Sequence, residues 1–156
     1  MNRFKKYAAE GRIDENADLT DRQSIVINAP INEVWSLIHD VSKWSEWNKN
    51  ISGVDLNDDG KQFSWRYDGR KFQSTSMNED QPSSLAWIGF SGWIKSIYAW
   101  SLDPTDANQT VVSVEECYKG FLLFLFMGHR KIHSNLLSWL DQLKQVAEKS
   151  TESALV

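Results

Sequence analysis

At 156 residues, 41% of them hydrophobic and eight of them Trp, the chain has material for one well-filled core and is not a disordered protein. A formal net charge of −4 argues against a nucleic-acid backbone as partner, because that contact needs clustered Lys and Arg to release counterions. Cys117 is the sole cysteine, which excludes internal disulfides and thiolate zinc sites, and the longest apolar run, FLLFLFM at 121–127, is far short of the ~20 residues of a membrane span.

In chain order, residues 1–20 lack clear periodicity and carry no apolar core of a signal peptide. The expectation is a prefix at 1–20, a single domain at 21–150 and a tail at 151–156, in a cytoplasmic protein. Composition leaves open whether the prefix extends the first strand, caps a cavity or is disordered. SIVINA, 24–29, is a short β-branched run and reads as a buried strand. Pro30 ends it at the first helical position, where a missing N–H costs nothing. Val34, Trp35 and Ile38 then share a helix face, and VSKWSEWN allows a second short helix with Trp44 and Trp47 on one side.

From Ile51 to Tyr118 the pattern becomes short alternating runs broken by LNDDGK, YDGR, NEDQPSS, SGW and DPTDANQ. Breaks about ten residues apart predict hairpins and an antiparallel sheet curled around something. That something follows: from His129 to Lys149, Ile132, Leu136, Leu140 and Leu143 form one apolar helix face, with Trp139 beside them. Such a rod of ~30 Å crosses a whole sheet. The fold class is α+β: a strand, two short helices, about six more strands and one long helix.

The segment INAPINEVWSLIHDVSKWSEWN at 27–48, the strand pair AWIG and IYAW, and TVVSVEECYKG before the long helix resemble the SRPBCC (START/Bet v 1-like) superfamily, in particular its polyketide cyclase/dehydrase-like branch, over about residues 20–148. The resemblance implies a helix-grip fold, in which a curved antiparallel sheet of about seven strands wraps the C-terminal helix. It also implies a cavity for small, mostly apolar molecules such as lipids, sterols, polyketides, plant hormones or aromatic compounds, with no cofactor. Fold alone does not select among them. Trp35 is then expected to pack its helix on the sheet, while Trp44 and Trp47 either fill the elbow or border the cavity mouth.

Strand parity sorts the faces. Phe63, Trp65 and Tyr67 share a side, as do Phe72, Ser74 and Ser76; Leu85, Trp87 and Gly89; Tyr98, Trp100 and Leu102; and Val112, Val114, Glu116 and Tyr118. The candidate ligand lining is Trp65, Ser74, Ser76, Trp87, Tyr98, Trp100 and Glu116, closed by Leu136 and Leu140, an aromatic wall with a few polar handles. The alternative is that these side chains simply fill the interior. Glu116 on an apolar face must be hydrogen-bonded or have its pKa raised. It either anchors the polar end of a ligand or acts as general base with Tyr98 as acid or oxyanion donor.

His129 and His133 share a helix face four residues apart, but no third ligand and no HExxH pattern accompany them, so no metal is expected. Neither a phosphate-binding glycine loop nor a GxSxG elbow is present. FLLFLFM is apolar all round and is a gate over the cavity, a core turn, or a contact with a partner, a second copy or a membrane surface. Three functions follow: binding of a small hydrophobic ligand (aromatic, lipid or polyketide-like) in an internal cavity, a cyclase or dehydratase acting on such a ligand, or an interaction module using 121–127.

Overall fold

Between residues 19 and 119 the alternation of large apolar and polar side chains builds seven antiparallel strands: β1 Leu19–Ile27, β2 Ile51–Leu56, β3 Gln62–Tyr67, β4 Arg70–Asp80, β5 Ser84–Ser91, β6 Ile94–Asp106 and β7 Gln109–Lys119. The structure is a computed structural model; it describes residues 1–126 and 128–154, the side chains of Phe124 and Phe126 excepted. Strand order is β1-β7-β6-β5-β4-β3-β2, so each hairpin pairs with the next and β1 joins the far end of the chain at β7. β1 begins at Leu19 rather than at Ser24, because Thr20 to Gln23 pair in register with Cys117 to Val114 and the ladder bonds carry a polar stretch that has no strand pattern of its own. Asp68 and Gly69 both have positive φ, 48° and 83°, which is the twist a two-residue turn between β3 and β4 requires.

Pro30 ends β1 as the N-cap of α2, Ile31–His39, one position before the first helical residue expected for it. Its carbonyl accepts from Glu33 N and Val34 N at 3.0 and 3.2 Å. Val34, Trp35 and Ile38 turn inward as their spacing requires. A 3-10 turn, Val41–Lys43, leads into the short α3, Trp44–Trp47. The elbow is pinned by Trp44, which is fully buried and donates from Nε1 to the Ile38 carbonyl at 2.9 Å.

After β7 come a four-residue helix, α4 Leu123–Phe126, and α5 His129–Ala154. (The first helix of the chain, α1, is Arg3–Ala9.) The 26 residues of α5 make a rod of about 39 Å, longer than the pattern to Lys149 indicates and extending past the boundary at 150. Ile132, Leu136, Trp139, Leu140, Leu143 and Ala147 are buried along one side and join the strands' inner side chains in a single core.

The first twenty residues do two things. Leu19 and Thr20 join β1, while α1 and the turn after it cover the back of the sheet. There Phe4, Ala8 and Ile13 bury against Ala86, Ile88, Ile97, Ala99 and Cys117, a second apolar cluster on the convex face. Asn78 Nδ2 donates to the Ala9 carbonyl at 3.1 Å and locks the helix end down. Full burial of Phe4 and Ile13 contributes roughly 1.5–3 kcal/mol each. This cover explains why the middle strands carry apolar residues on both faces.

Candidate functional site

The register of the sheet sets inner side chains in rows across the strands. One row runs Ser76 on β4, Trp87 on β5, Tyr98 on β6, Glu116 on β7 and Asp21 on β1, each directly opposite the next. A neighbouring row runs Phe63, Ser74, Gly89, Ser96 and Tyr118. Against these, α5 and the elbow contribute rings. Trp44 is the hub, with centroids of Trp139, Trp87, Trp65 and Phe63 at 5.1, 5.2, 5.4 and 5.6 Å. Trp65 stacks on Phe72 and Tyr67 on Trp139, at 5.0 and 6.3 Å. Most of the space between sheet and helix is thus occupied by aromatic packing worth more than its area alone.

Among those rings lies a buried carboxyl group whose surroundings oppose its ionisation. Glu116 is 2% exposed; burial, and secondarily the charge of Asp21, push its pKa well above the usual carboxylate range, against the lowering effect of a hydrogen bond from Tyr118. Tyr118 OH donates to Glu116 Oε2 at 3.4 Å and meets Tyr98 OH at 2.5 Å. Burial also raises both phenols well above 10, with the nearby Glu116 adding to the shift. Glu116 and Tyr98, opposite each other on adjacent strands, are linked through the Tyr118 hydroxyl. Parity had set Tyr118 on this face, but only its reach toward Tyr98 marks it as part of the site. Among the described residues, Glu116 Oε1, Trp87 Nε1, Trp100 Nε1 and Ser96 Oγ are buried and have no hydrogen-bond partner. Buried polar atoms are nearly always satisfied, which sets these four on the concave face apart.

Two further details shape this face. Trp65 Nε1 donates to Ser74 Oγ at 3.0 Å, so that serine is engaged by an indole. Gly89 lies between Ser74 and Ser96, and a Cβ there would stand 2.6 Å from Ser96 Oγ and 3.3 Å from Ser74 Oγ. Outside the row, His133 Nδ1 is 3.0 Å from Asp21 Oδ2, and His129 Nε2 is 3.2 Å from the Thr20 carbonyl. Both histidines thus tie α5 to β1. Asp21 escapes a sequence reading because the β-branched run that marks the strand starts after it, at Ser24.

The row opens at its β4 end into a cleft of about 1020 Å³ between α2 with its following turn, the tip of the β2–β3 hairpin, and β4–β5. Trp35, Ile38, Val41, Phe63, Leu85 and Trp87 supply apolar walls, and Ser76, His39 and Glu79 polar ones. His39 Nε2 and Glu79 Oε1 stand 2.7 Å apart, and Trp35 stacks on His39 at 5.4 Å. Of the nine residues proposed from sequence to line a ligand site, Ser76 and Trp87 face this cleft. Trp65, Ser74, Tyr98, Trp100, Glu116, Leu136 and Leu140 stand behind it, buried. Trp44 fills the elbow, while Trp47 is half-buried against Trp139 at 5.8 Å. Of the 121–127 segment, Leu123 is core and Phe121, Leu122 and Leu125 are exposed; Met127 and the side chains of Phe124 and Phe126 lie outside the described residues.

A curved seven-stranded antiparallel sheet gripping a long terminal helix, with two short helices after its first strand, is the helix-grip, START-like architecture. The chain belongs to the family described as polyketide cyclase / dehydrase and lipid transport, whose model matches residues 20–148. No curated protein matches the sequence. Among solved structures, a hypothetical protein from Helicobacter pylori is similar with a TM-score of 0.73 at 20% identity, over 94% of this chain and 97% of that one. A START superfamily protein from Mycobacterium smegmatis reaches 0.72 at 15% identity, over 83% and 97%. The di-domain ARO/CYC protein StfQ of the steffimycin biosynthetic pathway reaches 0.70 at 13% identity, with 85% of this chain matching 51% of that one. At these identities the likeness is one of fold.

Proposed function

We propose that this protein binds a small hydrophobic ligand with one polar end, which enters by the cleft beside α2 and directs its polar end toward Glu116. The observation that carries this reading is the single cross-strand row from the cleft residues Ser76 and Trp87 through Tyr98 to Glu116. Three strand spacings set Glu116 about 14 Å from Ser76, behind the packed rings of Trp87 and Tyr98, so a ligand seated in the cleft reaches it as those rings move aside. The apolar side of the cleft, Trp35, Ile38, Val41, Phe63, Leu85 and Trp87, suits the hydrophobic part of such a molecule, its rim of Lys43, Asp59, Lys61 and Glu79 is polar, and Glu116 Oε1 suits a carbonyl or hydroxyl. The family description, polyketide cyclase / dehydrase and lipid transport, is compatible with this ligand class.

The test is native mass spectrometry of the purified protein, followed by a tryptophan-fluorescence titration with hydrophobic metabolites. A ligand that binds the parent and is lost in Phe63→Ala and Trp87→Ala supports the reading. Failure of every compound to bind, or binding indifferent to both substitutions, overturns it.

A second reading, a cyclase- or dehydratase-type enzyme acting on the same ligand, is favoured by the raised pKa of the buried Glu116 beside two linked phenols. A neutral carboxylic acid in an apolar site is a proton donor to a ligand oxygen. In that case Glu116→Gln loses turnover and keeps affinity, whereas a carrier shows no turnover in either form.

A further inference from the structure

The end of the molecule where β5 turns into β6 and β7 leads to α5 exposes large apolar side chains. Trp93 is 58% exposed, Phe121 79% and Leu125 63%, with Leu122 between the last two. These groups are held outward by ordered structure. Trp93 Nε1 donates to the Phe121 carbonyl at 2.8 Å. A Cβ on Gly120 would stand 3.4 Å from the Ile94 Cα, so the two chain segments touch backbone to backbone. Leu123, flanked by exposed leucines, is 1% exposed and anchors the turn in the core. The result is an apolar ridge anchored through Leu123 and the Trp93–Phe121 hydrogen bond, larger than the scattered single side chains an ordinary surface shows.

Cations flank the ridge along the chain. Residues 90–95 and 117–131 contain Lys95, Lys119, Arg130 and Lys131 and no Asp or Glu, on a chain whose formal net charge is −4. Lys95 and Lys119 are opposite each other across β6 and β7, two residues along the chain from Trp93 and from Phe121 respectively. With Arg3 they border a small depression that also includes Asp14. Two acids also stand at this end, Asp14, which accepts from Asn16 N, and Asp18, which accepts from Gly120 N, against the four cations.

We infer that this end docks on the surface of a bilayer containing anionic phospholipid. Aromatic and leucine side chains flanked by Lys and Arg are the chemistry of interfacial attachment: the ridge enters the headgroup boundary, Trp93 sits at headgroup depth, and the cations meet lipid phosphates. Charge also distinguishes this occupant from a second copy of the chain, since a two-fold contact through the ridge brings the same four cations face to face. Attachment is to the surface only, as no described helix is long and apolar enough to cross a membrane. The inference is independent of what the cleft binds.

The experiment is flotation of the full chain with vesicles of phosphatidylcholine alone and of phosphatidylcholine with about 30% phosphatidylglycerol, at low and high salt. The protein is expected to float with the anionic vesicles at low salt, to be released by high salt, and to bind neutral vesicles far less. Lys95→Ala and Lys119→Ala should each weaken binding about fivefold, and Leu125→Glu should abolish it with the far-UV circular dichroism unchanged. No flotation of the folded parent with anionic vesicles overturns the inference, as does binding that these substitutions leave intact. So does a stable dimer that Phe121→Ser dissociates, which assigns the ridge to a second copy.

Discussion

Glu116→Gln makes the buried acid testable without any ligand. In the folded protein burial and Asp21 hold the Glu116 proton on well above the ordinary value of 4.5, whereas the unfolded chain releases it near that value. Above this pH the unfolded state therefore binds fewer protons than the folded one, and the parent loses stability as pH rises. The loss is about 1.4 kcal/mol per pH unit, or roughly 3 kcal/mol over two units, and ends where the folded acid itself ionises. Gln has nearly the same shape and no proton to lose, so other titrating groups cancel in the difference between the two proteins. Urea unfolding at a series of pH values should show the variant gaining on the parent at that slope. Asp21→Asn in the parent background should end the window at lower pH, because one of the two causes of the raised pKa is gone. A difference that stays flat between about pH 5 and 7 would refute the reasoning, since it means that Glu116 ionises as it does in the unfolded chain.

Trp44→Ala should cost about 3–5 kcal/mol for the void among four rings, and should lower Tm by roughly 6–20 °C in calorimetry; Trp44→Phe, which loses the Ile38 bond but keeps a ring, should cost less. Gly89→Ala should destabilise by about 1–3 kcal/mol through its contact with Ser96 Oγ, and Ser96→Ala should recover most of that in a double-mutant cycle of denaturant midpoints. Burial raises the Cys117 thiol to about 12, so a thiol reagent at mildly alkaline pH should leave the folded protein unlabelled and react fully in denaturant.

The concave face was legible because every strand from β3 to β7 alternates large inner side chains with outer ones, and a two-residue period admits only one assignment once Val112 and Val114 face the helix. α5 was legible for the corresponding reason at its own period. The covering of the sheet's back was not: α1 has seven residues, and one Phe4–Ala8 pair is too little to show a period. The apolar outer positions Ala86, Ile88, Ile97 and Cys117 were the available hint that something lay over them. Nor could the cleft be read, since its walls come from α2, a hairpin tip and β4, and the gap between them depends on how the elbow seats rather than on any local pattern. Asp21 was hidden by the polar start of β1, whose strand form is dictated by β7 and not by its own residues.

The cluster around Trp44 also has an optical consequence. Indoles of Trp65, Trp87 and Trp139 lie with centroids 5.1–5.4 Å from the Trp44 ring, close enough for their transition dipoles to couple. Three of the four sit on the sheet or α5 and the fourth on the elbow, so the coupling reads the seating of one part of the fold against the others. Trp93, exposed at the far end, emits separately and at longer wavelength. The protein thus carries two native chromophoric reporters: a near-ultraviolet dichroic couplet that follows the elbow, and a solvent-sensitive emission that follows the opposite pole.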